Sequence, residues 1–237
     1  MEFTKSEWAN FISMLTAISA AGFDDCILKN GIIRQTNVSN TMIVNIDLEK
    51  DISFEVQIIK SFLPLYKSFS PIDDNGSVIV ETTSSNIYIS DGISSIEIHR
   101  PVEKMLSCKF LDEVTFSAYG ISNDSLCNFT VNENLSAKLK AIRDNFMTTI
   151  FNVNTKNKKS TIEFTSYSNT RSAKVISFES NLPDVNLSVS CNIIDFPFDS
   201  AYNISILEMP NSHKYIAKIT GSISDKNVTV YAIANTL

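Results

Sequence analysis

Apolar residues along this chain alternate between two spacings. Over Lys5–Ala20 they recur three and four apart, with Phe11, Leu15 and Ile18 on one face, which predicts an amphipathic helix. Three strand-like runs follow, "DDCILKN", "GIIRQTN" and "TMIVNIDL", separated by turn residues. The short strand "ISFEV" then leads into a second helical pattern over 57–69, with Ile59, Phe62, Leu63 and Tyr66 on its apolar side. Pro64 falls inside that pattern, where it removes a backbone donor and is expected to kink or shorten the helix. Three more strand runs come next: "SVIVET", "NIYIS" and "SIEIHR".

The order then returns. "LCNFTV" reads as a strand, and 134–146 as a helix with Leu135, Leu139, Ile142 and Phe146 on one face. "TTIFNVN", "STIEFTSY" and "KVISFES" read as three strands. A ragged last unit holds "NLSVSCNI", a weaker helix over 200–208 capped by Asp199, and the strands "KYIAKITG" and "NVTVYAIA". The unit is therefore strand, helix, three strands, repeated four times. "FEV" before the second helix echoes "FTV" before the third. Pairs of units predict an α+β chain of two similar domains, 1–103 and 124–237, joined by a connector over 104–123. That connector contains one strand-like run, 114–119.

Composition narrows the function. With 43% hydrophobic residues, the 237-residue chain has ample material for a buried core. No apolar run is long enough to span a bilayer, and the start, "MEFTKSEWANF", lacks a signal-peptide pattern, so a cytoplasmic location and no membrane partner are expected. Cys26, Cys108, Cys127 and Cys191 show no C-x-x-C spacing and read as free, mostly buried thiols. No cofactor or metal is expected. His99 and His213 are the only histidines, and no nucleophile elbow, phosphate loop or zinc-protease motif is present. The chain reads as a non-enzyme.

Charge is distributed unevenly. The formal net charge is −6. The first helix carries Lys5 and Glu7, the second Lys60 and Lys67, the third Lys138, Lys140, Arg143 and Asp144, and the fourth Glu208. The four helices sum to +3, which leaves −9 for everything else. Basic helices in an acidic protein suit contact with a phosphate backbone, although a solvated helix face is often basic for no such reason. The first helix exposes Ser6, Ala9 and Ser13, which neither attract nor repel phosphate.

The order, spacing and length resemble those of the sliding clamps of the PCNA fold, and in detail the trimeric clamps of tailed bacteriophages. The resemblance is carried by "LKNGIIRQTNVSNTMIVNIDL", by "ISFEVQIIKSFLPLYKSFSPIDDNGSVIVETTSSNIYIS", by "NFTVNENLSAKLKAI" and by "SILEMPNSHKYIAKITGSISDKNVTVYAI". It implies a DNA-clamp fold, in which each domain has two inner helices and curved antiparallel outer sheets. It implies a homotrimer, because clamp rings have six domains, with duplex DNA passing through the hole without sequence reading. It also implies a replicative DNA polymerase held for processive synthesis and an ATP-dependent loader that opens the ring. Lys5, Lys60, Lys67, Lys138, Lys140 and Arg143 would then contact the DNA backbone. A partner peptide would lie near the connector, against Met105, Leu106, Phe110 and Leu111, with Val230 and Ile233 as floor. Subunits would pair edge to edge through 171–179 and the run around 114–119. Two other classes fit parts of the sequence: a β-rich virion protein, which has no need of regularly spaced amphipathic helices, and an enzyme with a dispersed site around a histidine.

Overall fold

The computed structural model describes all residues except 1, 49–52, 57, 58, 72, 74, 101–105, 167, 169 and 210–213; the side chains of 54–56 and 59–61 also lie outside the description. The first unit runs β1 (Glu2–Thr4), α1 (Lys5–Ala20), β2 (Cys26–Lys29), β3 (Ile32–Thr36) and β4 (Met42–Asp47). The second runs β5 (Phe54–Val56), α2 (Ile59–Ser68), β6 (Ser77–Thr82), β7 (Asn86–Ser90) and β8 (Ser95–His99). The connector holds β9 (Lys109–Phe110) and α3 (Glu113–Ser117). The third unit is β10 (Ser125–Val131), α4 (Glu133–Phe146), β11 (Ile150–Lys156), β12 (Lys159–Thr165) and β13 (Ser172–Glu179). The fourth is β14 (Asn186–Ser190), a 3-10 turn (Cys191–Asp195), β15 (Tyr202–Met209), β16 (Lys214–Ile223) and β17 (Lys226–Thr236).

α1 starts where its first residues can be capped. The Thr4 hydroxyl accepts from the Glu7 amide, and the Glu7 carboxylate accepts from the Thr4 amide at 2.8 Å. Trp8, Phe11, Leu15 and Ile18 are buried, and the Trp8 indole donates to the Tyr66 carbonyl of α2. This pairing ties the two helices together, and truncating Trp8 or Phe11 to Ala would cost about 3–5 kcal/mol. α2 continues through Pro64 to Ser68. α4 begins at Asn132, whose side chain accepts from the Leu135 amide at 2.9 Å.

Two expected elements are different in the structure. The fourth helix over 200–208 is absent: that stretch is β15, because Tyr202, Ile204 and Ile206 are buried and alternate with Asn203 and Ser205. β10 pairs along it, with Val131 opposite Tyr202 and Phe129 opposite Ile204. Asp199 caps no helix and instead accepts from the Ser224 amide. The 3-10 turn at Cys191–Asp195 is what stands in the helix position of this unit. The second difference is the connector run 114–119, whose residues 114–117 lie in helix α3 and which forms no strand. The Asp112 side chain accepts from the Thr115 amide at 2.7 Å and nucleates that turn.

The strands form two sheets. One has the order β1-β6-β7-β8. The other runs β13-β12-β11-β14-β17-β4-β3-β2-β5, with β16, β15 and β10 continuing from β17. β17 is the seam of the molecule: one side pairs with β16, while the other meets β4 over 228–232 and β14 over 234–236. The β7–β8 turn is held by Asp91, which accepts from the amides of Ser94, Ile93 and Ser70. Those amides, Ser94 first, hold its carboxyl below the usual carboxylate range.

All four cysteines are free and buried. Burial pushes the Cys191 thiol up to about 12 and the Cys127 thiol to about 11, and raises Cys26 as well. In the unfolded chain a thiol ionises near about 8.5. The neutral folded thiols therefore stabilise fully below that value, and this stability is lost as pH climbs toward 11–12. The melting temperature is expected to fall progressively above pH ~9. A thiol reagent at pH ~8 should leave the native protein unlabelled and label all four cysteines after denaturation. Prompt labelling of the native form would contradict this burial.

Candidate nucleic-acid interface and partner groove

The basic residues expected on the helices separate into distinct environments. Lys67 is exposed in the last turn of α2, where a cation also suits the helix dipole. Lys138 is exposed on α4, and Lys140 is half-buried there. Lys140 borders a cavity of about 700 Å³ between the first half of α4 and residues 196–202, shared with Ser136, Phe198 and Tyr202. Lys5 is half-buried at the start of α1. Lys60 is within α2, but its side chain is outside the described residues.

Arg143 is placed differently from the lysines. Its guanidinium pairs with Asp195 in the 3-10 turn and with Asp144 at 2.8 Å, and its side chain is 20% exposed. The ion pair to Asp195 fastens α4 to the 3-10 turn that takes the place of a helix in the fourth unit. In the first half the corresponding contact is the apolar packing of α1 on α2. Arg143 therefore holds structure together with its charge already paired.

The connector is laid along β3. The amide and hydroxyl of Ser107 both donate to Asp25 at 2.6 Å, and the Leu111 amide donates to the Arg34 carbonyl at 2.8 Å. Arg34 pairs with Glu113 at 2.5 Å and lies 4.9 Å from the centre of the Phe116 ring. Phe116 in turn packs on Tyr231 of β17, 5.6 Å between ring centres.

Beside this path, over the β4–β17 seam, lies an apolar cavity of about 160 Å³. Its lining includes Tyr119, Met209, Tyr215, Ile216, Tyr231 and Ile233. Ile233, one of the residues singled out in the sequence, lines this cavity. Val230 does not: it is fully buried on the opposite face of β17, because residues three apart in a strand point to opposite sides. Leu111 is also buried, and half-buried Phe110 lies under the Lys29 ammonium at 5.0 Å. Leu106 is half-buried, and neither it nor Phe110 nor Leu111 lines the cavity. Met105 lies outside the described residues. The two-residue periodicity of β17 could have indicated Tyr231; Tyr119 had no comparable signal.

Chemistry of other kinds is sparse. His99 is exposed on β8, with Nδ1 at 3.3 Å from the Asn86 amide oxygen, and His213 lies outside the described residues. Among the described residues, no group of three or more His, Cys, Asp or Glu could hold a metal ion. Among the described residues, no helix is long and apolar enough to cross a membrane.

No family model matches the sequence, and no curated protein does. Solved structures do match. The PCNA2–PCNA3 complex of Sulfolobus tokodaii is similar with a TM-score of 0.61 and 13% identity, over 99% of this chain and 98% of that one. Proliferating Cellular Nuclear Antigen of Entamoeba histolytica is similar with a TM-score of 0.63 and 10% identity, over 99% and 97%. The closer resemblance to phage clamps rests on the sequence alone. From the first unit to the last, this chain has the PCNA fold, an α+β clamp fold of helices and antiparallel sheets.

Proposed function

We propose that the chain is a non-enzymatic sliding clamp, a ring of three copies that encircles duplex DNA and tethers a replicative polymerase. One observation carries this reading. Within the chain, the last strand of the second half, β17, pairs with β4 of the first half. The equivalent strands at the other junction are β8 and β13, and among the described residues each pairs on one side only. A second copy offering β13 to β8 would repeat the internal seam, and repeating it again closes a ring. By the resemblance to six-domain rings, the number of copies is read as three. The expected free edges are therefore 172–179 and β8, with α3 taking no part.

Helix surfaces support the same junction. α1 buries eight residues along its length, whereas among the residues of α4 only Leu139 is buried. Leu135, Ile142 and Phe146 are half-buried, and Met147 beyond them is 83% exposed. In the ring this stripe would pack on the neighbour's α2. The two domains are taken as 1–103 and 124–237, joined by 104–123.

Lys67, Lys138, Lys140 and Lys60 would meet DNA phosphates from inside the hole, with Lys5 near the helix entry and Arg143 serving as a brace. No base reading is implied. An ATP-dependent loader would open the ring. The clearest test is topological: protein loaded onto nicked circular DNA should survive gel filtration at high salt and be lost once the circle is cut. Equal retention on circle and linear DNA would refute encirclement.

The apolar cavity on the seam is read as the docking groove for a polymerase peptide. A Tyr215→Ala, Ile233→Ser variant should weaken binding of such a peptide about tenfold or more. Phe110→Ser, away from the cavity, should leave it unchanged. Binding by fluorescence anisotropy that is undiminished in the folded double variant would place the groove elsewhere.

A further inference from the structure

The internal seam also predicts which side chains meet at the open one. In the first half Val80 faces Ile89, which faces Ile96; in the second Ile204 faces Ile219, which faces Val230. Ile96 of β8 therefore stands where Val230 stands in β17. On the other side, Leu28, Ile33 and Ile46 are opposite one another in turn, as are Val153, Ile162 and Ile176. Ile176 of β13 therefore stands where Ile46 stands in β4.

Within the chain Val228 faces Ile46. Carried over, Ser94 of one copy faces Ile176 of the next. The strands run antiparallel, so Glu97, three residues on, comes opposite position 173. β13 has a bulge that inserts Val175, which moves this to 172. Ala173 faces buried Phe164, so exposed Glu97 stands opposite exposed Ser172; Lys174 is its diagonal neighbour on the same face, and Arg171 adjoins Ser172 at the strand end.

All three side chains are exposed. Glu97 accepts from Tyr88 and Asn86, both on Oε1, which leaves Oε2 directed to no described partner. Arg171 and Lys174 make no ion pair among the described residues. The β8 side is acidic, with Glu81, Tyr88 and Glu97 in one row across the sheet. Two β8 edges brought together would oppose carboxylates, and two β13 edges would oppose cations.

We propose that a second copy of this chain docks on β8 with its Lys174 diagonal to Glu97 on the exposed face and its Arg171 at the adjoining strand end, and that this cluster selects head-to-tail closure over like-edge pairing. The proposal rests on the ring reading above and names the charges that give the ring its direction. Surface pairs of this kind are screened by salt, so their share of ring cohesion falls as ionic strength rises.

The test compares Glu97→Lys, the double variant Arg171→Glu with Lys174→Glu, and all three changes combined. Assembly is followed by sedimentation at about 50 mM and about 500 mM salt, with circular dichroism as the folding control. Glu97→Lys and the double variant should each raise the concentration needed for half-assembly about tenfold at low salt. The combined variant should return to within about threefold of the unaltered protein. Glu97→Gln should lie between the unaltered protein and Glu97→Lys, and all differences should shrink at high salt. If the unaltered protein assembles while Glu97→Lys assembles equally well, or if the combined variant is no better than its parents, the pairing is wrong and the ring stands. If the unaltered protein never assembles, the ring reading itself fails.

Discussion

Ser95→Pro is expected to convert the assembled protein to a folded monomer. The residues of β8 alternate in backbone direction. The Arg100 amide donates to the Ser85 carbonyl, so the amides of Ile98 and Ile96 point to β7, and those of Ser95, Glu97 and His99 point to the open edge. A proline at position 95 therefore takes no hydrogen bond from the β7–β8 ladder. It removes a donor that only a neighbouring copy could use, and proline is tolerated on edge strands for this reason. The mass should fall from about 79 kDa, three times the chain mass of 26.4 kDa, to that of one chain. Far-UV dichroism and the melting curve should remain close to those of the unaltered protein. A Ser95→Pro variant that still assembles fully would show that β8 is not an interface strand.

The second large effect is expected from charge reversal inside the ring. Changing Lys67, Lys138 and Lys140 together to Glu places nine reversed charges around the hole of a trimer. Lys67 and Lys138 are exposed and Lys140 is half-buried beside the α4 cavity, so none supports the core. Each phosphate contact is modest and salt-screened, and three copies repeat it. Single changes should thus alter processive synthesis on primed circular DNA by less than about twofold, while the triple reversal should shorten products about tenfold or more at low salt. The reversed protein should keep its assembled mass. Full processivity of an intact triple variant at low salt would mean that these helices do not face DNA, and that their basic character is that of an ordinary solvated surface.

Local pattern was readable where a single element decides its own structure. The helix expected over Lys5–Ala20 is α1 with the same bounds, because its period and its Thr4–Glu7 capping are local. The repeated element order was legible for the same reason. Residues 200–208 were misread because Ile204, Ile206 and Leu207 fit a helical spacing as well as a strand, and the pairing with β10 that settles the matter is more than 70 residues away. The connector run 114–119 carries β-branched Val114 and Thr115, yet Asp112 caps it into a helix. Open edges cannot be read from a strand's own residues: β8 is an edge because it comes last in the order β1-β6-β7-β8, paired with β7 alone among the described strands. Arg143 looked like its neighbours Lys138 and Lys140 until the fold brought Asp195 against it. Of the residues proposed for a groove near the connector, Ile233 lines the apolar cavity, whose aromatic wall comes from Tyr119, Tyr215 and Tyr231, which meet only in three dimensions.

Native mass spectrometry of the unaltered protein, taken across micromolar concentrations, addresses the ring most directly. Two open edges that complete each other head to tail predict one closed species near 79 kDa, three chains of 26.4 kDa, without an open-ended ladder of larger forms. A mass that stays at 26.4 kDa throughout, or a two-chain species as the end point, would contradict closure through β8 and β13.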